Sequence, residues 1–281
     1  MPILIPHNYP AYSVLEKKNV FVMNSDRASI QDIRPLKIGV INLMPTLEVT
    51  EEQLIKMLAN TPLQVDLQLI MMDSDYHKKE DLSHLNEFYR PYREIKDEKF
   101  DGMIITGAPV EQLAFEEVDY WDELVGIMDY AKKHVHATLY ICWGAQAGLY
   151  HHYGIPKYGL PHKLSGIFSH TINDPTNQLF RGFDDVFHAP HSRHTEVRGE
   201  DIAKIPTLEI LAESDEAGVL VAGTLDGRSM FITGHLEYDR DTLDAEYRRD
   251  VAKGMEIAPP AHYYPGDDVT RPPLVSWRAH A

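Results

Sequence analysis

The sequence holds one cysteine, Cys142, inside "LYICWGAQAGLYHH" (Leu139 to His152). An apolar run, "ATLYIC", ends at it. A small-residue stretch with Gly144-Ala145 and Ala147-Gly148 then opens what reads as a helix. A thiol at such a strand-to-helix junction sits on a tight turn that small neighbours permit, the setting of a nucleophile elbow. The first-turn amides of the next helix favour a thiolate and can donate to an oxyanion. Acyl chemistry at sulfur also needs a base. "FITGHLEYD" offers one: Gly234 breaks a strand just before His235, and Glu237 shares a face with His235 if the backbone stays extended. That carboxylate would hold the imidazole and stabilise its charged form. Each piece has a plainer reading, because a free cysteine is often only a small buried hydrophobe. A histidine and a glutamate at a strand end are common on any surface. Taken together, the three residues point to a cysteine nucleophile.

Other clusters point less far. "HAPHSRH" spaces His188, His191 and His194 three apart, but Pro190 interrupts any helical face and no cysteine or nearby carboxylate completes a shell. It reads as a polar loop near a site, and no metal is expected. His151 and His152 read as helix surface. The chain carries neither a G-x-G-x-x-G nor a Walker pattern, which disfavours nucleotide cofactors of those two kinds.

The elements that must position these residues alternate. "PLKIGVINLMP" reads as a strand buried on both faces, followed by a helix with Leu54, Met57 and Leu58 on one side and Thr50 as cap. "LQVDLQLIMM" and "FDGMIITGAPV" read as further strands. "YWDELVGIMDYAKKH" reads as an amphipathic helix with Leu124, Ile127 and Met128 inward, and "WGAQAGLYHHYG" as the helix closed by Gly154. Strand and helix alternating from 36 to 153 predict βαβ units around a parallel sheet, with a site at the strands' carboxyl ends. Later, turn signals at Asp215-Glu216 and Asp226-Gly227 predict hairpins, and "DTLDAEYRRDVAKG" a last helix stopped by Gly254. The proline-rich end reads as irregular. The expected organisation is an N-terminal arm over 1–35 packed on one α/β catalytic domain over 36–281.

At 281 residues, 43% hydrophobic and 25% charged, the composition is that of a soluble globular protein. No apolar run is long enough for a membrane span, and the N-terminus lacks the pattern of a secretory signal. A lone thiol fits a reducing, cytoplasmic location. A formal net charge of −16 argues against nucleic-acid and anionic-membrane partners.

The motifs "IRPLKIGVINLMPT", "FDGMIITGAPVE", "CWGAQAGLYHHYGIPK", "KLSG", "APHSRHTEV" and "TGHLEYDRDTL", in that order, resemble the homoserine O-acyltransferase (homoserine transsuccinylase) family. The likeness implies an α/β fold like that of class I glutamine amidotransferases, a mostly parallel central sheet flanked by helices with added hairpins in the second half. It implies acyl transfer from an acyl-CoA to L-homoserine in methionine biosynthesis, with no bound cofactor. Carried over by position, it makes Cys142 the acyl-thioester nucleophile, His235 the proton acceptor and Glu237 its neighbour. Lys163, Ser192 and Arg249 fall at substrate-binding positions, where Arg249 could hold a carboxylate through two bonds and Lys163 a second anionic group. The amides of Trp143 and Leu43 are expected around the oxyanion. Members of the family continue past "WRAHA" with an aromatic tail, and every matched position lies upstream of it.

Glu111 falls at the position that separates acetyl from succinyl users, glutamate marking acetyl. Succinyl-CoA ends in a carboxylate, and two unit charges about 4 Å apart at an effective dielectric near 20 repel by roughly 4 kcal/mol. That amounts to about three decades in affinity, so the expected donor is acetyl-CoA. Three alternatives share the mechanism or the fold: succinyl transfer, acetyl transfer to serine, and a glutamine amidotransferase-like cysteine hydrolase. A catalytically dead binding protein is a fourth. The expected partners are acetyl-CoA and L-homoserine, with a homodimer compatible.

Overall fold

A computed structural model describes residues 3–6, 8–17, 22–23, 34–61, 63–74 and 82–278. The chain divides into two compact units. One comprises the described residues of Met1–Pro109 and Leu113–Leu139, the other those of Val110–Gln112 and Tyr140–Ala281.

The first unit runs β1 (Ile3–Leu4), α1 (Tyr12–Lys17), β2 (Val22–Met23), β3 (Leu36–Ile41), α2 (Leu47–Leu58), β4 (Val65–Met71), α3 (Leu82–Phe88), β5 (Tyr89–Pro91), α4 (Tyr92–Ile95), β6 (Phe100–Ile105), α5 (Trp121–His134) and β7 (Val135–Ile141). β7 passes into the second unit at Tyr140. The strands lie in the order β2-β1-β4-β3-β6-β7, with β5 also paired to β4. The pairings of β1 with β2 and β4, of β3 with β4 and β6, and of β4 with β5 are all parallel. Strands such as "LKIGVI" and "FDGMII" are apolar because a parallel sheet is covered on both faces by its crossover helices. α5 buries Leu124, Ile127 and Met128 completely, as the periodicity predicts. α2 begins earlier than expected: Thr46 is its N-cap, and Thr50 lies inside the helix with its hydroxyl donating to the Thr46 carbonyl. Of that helix's predicted inward face, Leu54 is buried, while Met57 and Leu58 are half-buried.

The second unit holds α6 (Trp143–Tyr153), β8 (Tyr158–Ile172), β9 (Val186–Glu196), α7 (Gly199–Ile202), β10 (Leu208–Ser214), β11 (Gly218–Thr224), β12 (Ser229–Ile232) and α8 (Thr242–Ala252). Its strands follow the order β12-β11-β10-β8-β9 and pair antiparallel throughout. The turns at Asp215-Glu216 and Asp226-Gly227 join β10 to β11 and β11 to β12. α6 comes close to β12 because Gly148 has no side chain. A Cβ there would lie 2.8 Å from the Phe231 ring and 2.9 Å from Tyr140.

The "HAPHSRH" stretch, expected as a loop, is part of β9. Phe187, Ala189, His191, Arg193 and Thr195 alternate inward and are buried. Two of the five are ionisable, which hides the alternation from a hydrophobicity reading. Pro190 pairs with Ile167 without offering a donor. The proline-rich end is irregular yet anchored. Trp277 is fully buried with Ile167, Tyr238, Leu243, Tyr263 and Tyr264, and its indole N–H donates to the Tyr238 carbonyl at 3.0 Å. Trp277→Ala should therefore destabilise the protein by about 3–5 kcal/mol, read from chemical denaturation midpoints. A loss below about 1 kcal/mol would contradict a core role for this residue.

Candidate active site

Cys142 is the N-cap of α6 and has φ 51° and ψ −114°, a left-handed backbone that a side chain rarely adopts. Two backbone bonds hold it there. The Cys142 N–H donates to Ile232 O on β12 at 2.7 Å, and the Gln146 N–H donates to Cys142 O at 3.2 Å. The turn carries the thiol out of the strand and onto the helix N-terminus, with 8% of the residue exposed. First-turn N–H groups of a helix point away from its own carbonyls, and Trp143 and Gly144 occupy that turn.

His235 follows β12 and is 3% exposed. It hydrogen-bonds the Cys142 side chain, and its Nδ1 lies 2.7 Å from Glu237 Oε1. The histidine and glutamate meet in a turn, not on the extended strand expected, since the Tyr238 N–H bonds back to His235 O. Gly234 is needed beside them: a Cβ there would come within 2.7 Å of Pro190 O and 2.8 Å of Leu220. The His235 N–H donates to that same Pro190 carbonyl at 2.8 Å, fixing the turn to β9. Burial alone would lower the pKa of the ring. The charges and hydrogen bonds of Cys142 and Glu237 overcome it and hold the imidazolium well above the usual histidine range. The bonding order sulfur–imidazole–carboxylate is that of a nucleophilic triad.

Tyr238 lies parallel to the His235 ring, centroids 4.1 Å apart, and its hydroxyl donates to Glu246 at 2.8 Å. Burial first, then the charges of Glu246 and Glu237, push this phenol well above its usual pKa, so it remains a donor. Beyond the ring lies a polar cluster on α8, β8 and β9. Ser192 donates to Glu246, and Lys163 sits 2.9 Å from Asp250 and 3.8 Å from Glu246. Arg249 holds Asp250 at 2.9 Å and leaves about half of its own side chain exposed. Burial pushes the Asp250 carboxyl up, but the bonds from Arg249 and Lys163 outweigh it and hold it below the usual range.

The structure thus joins Cys142, His235 and Glu237 directly, and gathers Lys163, Ser192 and Arg249 one aromatic ring away. Tyr238, Glu246 and Asp250 were missed by sequence reasoning. The i, i+4 spacing of Glu246 and Asp250 on α8 was the available signal. Glu111 belongs to the second unit, where its carbonyl accepts a bond from Lys157 at 2.6 Å; its side chain is half-buried. Leu43 belongs to the first unit, and its N–H donates to Thr106 Oγ1 at 2.8 Å. An amide so engaged has its proton committed elsewhere unless that bond opens. Among the described residues, no helix is long and apolar enough to cross a membrane.

The fold is that of the glutamine amidotransferases. A glutamine amidotransferase from Thermotoga maritima superposes with a TM-score of 0.52 at 14% identity, covering 80% of this chain and 87% of that one. The glutaminase domain of Trypanosoma brucei CTPS gives 0.50 at 13% identity, covering 80% and 96%. Within that class, residues 2–281 match the homoserine O-succinyltransferase family, and the chain belongs to it. A homoserine O-acetyltransferase of Brevibacillus brevis is 58% identical and one of Clostridium beijerinckii 59%, each over all of this chain and 92% of the relative. One of Bacteroides thetaiotaomicron is 53% identical over the same shares.

The charge balance at His235 has a measurable sign. Of the influences that raise its pKa, the sulfur's charge is the largest, so Cys142→Ala should let burial pull the ring's titration toward lower pH. Histidine NMR titration of the wild-type and variant proteins reads this directly. An unchanged titration in the variant would mean that the pair is not electrostatically coupled.

Proposed function

We propose that the protein is a homoserine O-acetyltransferase that works through an acetyl-Cys142 intermediate. The observation that carries this reading is the strained Cys142 elbow hydrogen-bonded to an imidazole whose other nitrogen meets Glu237. Curated relatives above 50% identity are named for the same reaction.

In the first half-reaction the Cys142 thiolate attacks the thioester carbon of acetyl-CoA. The tetrahedral oxyanion is held by helix-terminal amides, with Trp143 as the donor. Its collapse breaks the bond to the CoA sulfur, which takes the proton of the His235 imidazolium and leaves as free CoA. Acetylation removes the sulfur's charge, the largest support for a protonated ring, just when a base is needed. In the second half-reaction neutral His235 takes the proton of the homoserine hydroxyl, whose oxygen attacks the acetyl-Cys142 carbonyl. O-Acetylhomoserine departs and the thiolate–imidazolium pair is restored. Glu237 keeps the ring oriented in both halves.

Arg249, half-exposed, is suited to the homoserine carboxylate, and Glu246 to its ammonium, with Lys163 and Ser192 holding Glu246 and Asp250 in place. Glu111 favours acetyl over succinyl by repelling the distal carboxylate of the longer donor. Acetyl-CoA is thus a co-substrate, and a cytoplasmic location suits the free thiol.

Intact mass after mixing with acetyl-CoA alone should show one added acetyl group, absent in Cys142→Ala and discharged by L-homoserine. Succinyl-CoA should label the wild type poorly and Glu111→Gly better. A wild-type mass that stays unchanged while product forms would overturn the covalent route. Equal succinylation of both proteins would overturn the role of Glu111.

A further inference from the structure

Arg193 lies on β9 next to Ser192, yet faces the other way, into the protein, and is only 2% exposed. Its Nη1 donates to Thr195 O at 2.8 Å, its Nη2 to Ala217 O at 2.5 Å and its Nε to His191 Nδ1 at 3.4 Å. Each of the three nitrogens thus has an acceptor, two carbonyls and a ring nitrogen. Among the described residues no carboxylate pairs with it. A guanidinium taken out of water without a counter-ion is costly, and such groups persist where the charge serves a purpose.

Burial lowers the pKa of Arg193 and the charges of Cys142 and Glu196 oppose it, and the two rings beside it are the groups that give up charge. Its Nε–H leaves His191 Nδ1 as an acceptor, so the proton of that ring sits on Nε2, which faces His170 Nε2 at 3.1 Å. Both rings are fully buried and stacked, centroids 5.1 Å apart. Burial first, then the charge of Arg193, holds His191 well below the usual histidine range. His170 is likewise pushed down, to about 4, chiefly by burial. Two neutral histidines therefore back one permanent cation.

β9 also reaches the catalytic pair from both sides. Thr195 exchanges two hydrogen bonds with Gln146 on α6, whose own N–H closes on Cys142 O. Pro190 holds the His235 N–H, and the His191 ring lies 3.3 Å from where a side chain on Gly234 would begin. The anionic groups that act on Arg193 are the Cys142 sulfur and, more weakly, Glu196; the same sulfur also acts on the His235 ring and on the Tyr238 phenol.

We propose that Arg193 is a positioning residue for negative charge, a buried and uncompensated cation that stabilises the Cys142 thiolate alongside His235. The division of labour follows from protonation. His235 loses its charge once the sulfur is acylated, whereas Arg193 keeps its own, so one cation still acts on the sulfur as it takes back negative charge on releasing the acyl group. The proposal rests on Cys142 reacting as a thiolate.

The test is the pH dependence of Cys142 alkylation by iodoacetamide, which needs no substrate, in wild type, Arg193→Lys and Arg193→Gln, with circular dichroism reporting folding. The alkylation midpoint of Arg193→Gln should rise by about one pH unit or more, while Arg193→Lys, which keeps the charge but not the fork of hydrogen bonds, should stay nearer to wild type. A folded Arg193→Gln protein with the wild-type midpoint would overturn the proposal. If Arg193→Gln does not fold, Arg193→Met, which keeps the length of the side chain without its charge, takes its place with the same two outcomes. A midpoint raised by a unit or more in Arg193→Lys, which retains the cation, would also contradict the charge role. Failure of wild-type acetylation would sink the acyl-enzyme instead and leave this readout standing.

Discussion

The left-handed backbone at Cys142 is the constraint from which the rest follows. A non-glycine residue held at φ 51° costs on the order of 1–3 kcal/mol, so the surroundings must fix it. They do so through the bond from its N–H to Ile232 O and through α6, which starts at the next residue. Because β12 supplies that carbonyl and then runs directly into Gly234-His235, one short segment both holds the elbow and delivers the imidazole that hydrogen-bonds it. Strain at Cys142 and placement of His235 are a single structural event.

Burial gives the triad its force. Cys142, His235 and Glu237 are all under 9% exposed, so their mutual charges are poorly screened and outweigh the desolvation of the ring. The polar cluster around Glu246 and Asp250 lies across Tyr238, a ring that touches His235 on its face and Glu246 through its hydroxyl. Trp277 in turn holds the Tyr238 carbonyl, so the irregular end of the described chain supports the ring stacked on His235. The Cys142–His235–Glu237 group and the polar cluster are thereby joined through one aromatic side chain.

Much of this was legible in the sequence because apolar periodicity and small residues have few alternative meanings. The strand–elbow–helix around Cys142, the inward face of α5 and the stop at Gly154 follow directly from residue types. What stayed hidden was polar and buried. β9 reads as a histidine-rich loop because its inward positions include His191 and Arg193, and only tertiary contacts satisfy them. The turn that joins His235 to Glu237 looks, from spacing alone, like a strand. Glu246, Asp250 and Tyr238 gain meaning only once α8 is folded against β8 and β9 residues far away in the chain.

In the proposed mechanism the sulfur accepts the acyl group before the hydroxyl arrives. Exchange of isotopically labelled CoA into acetyl-CoA, measured without homoserine, reports on that order of events. A covalent acetyl-enzyme predicts exchange in the wild type, none in Cys142→Ala, and a large loss in His235→Asn. Exchange that appears only after homoserine is added would contradict it, since the acyl group would then pass straight from donor to acceptor.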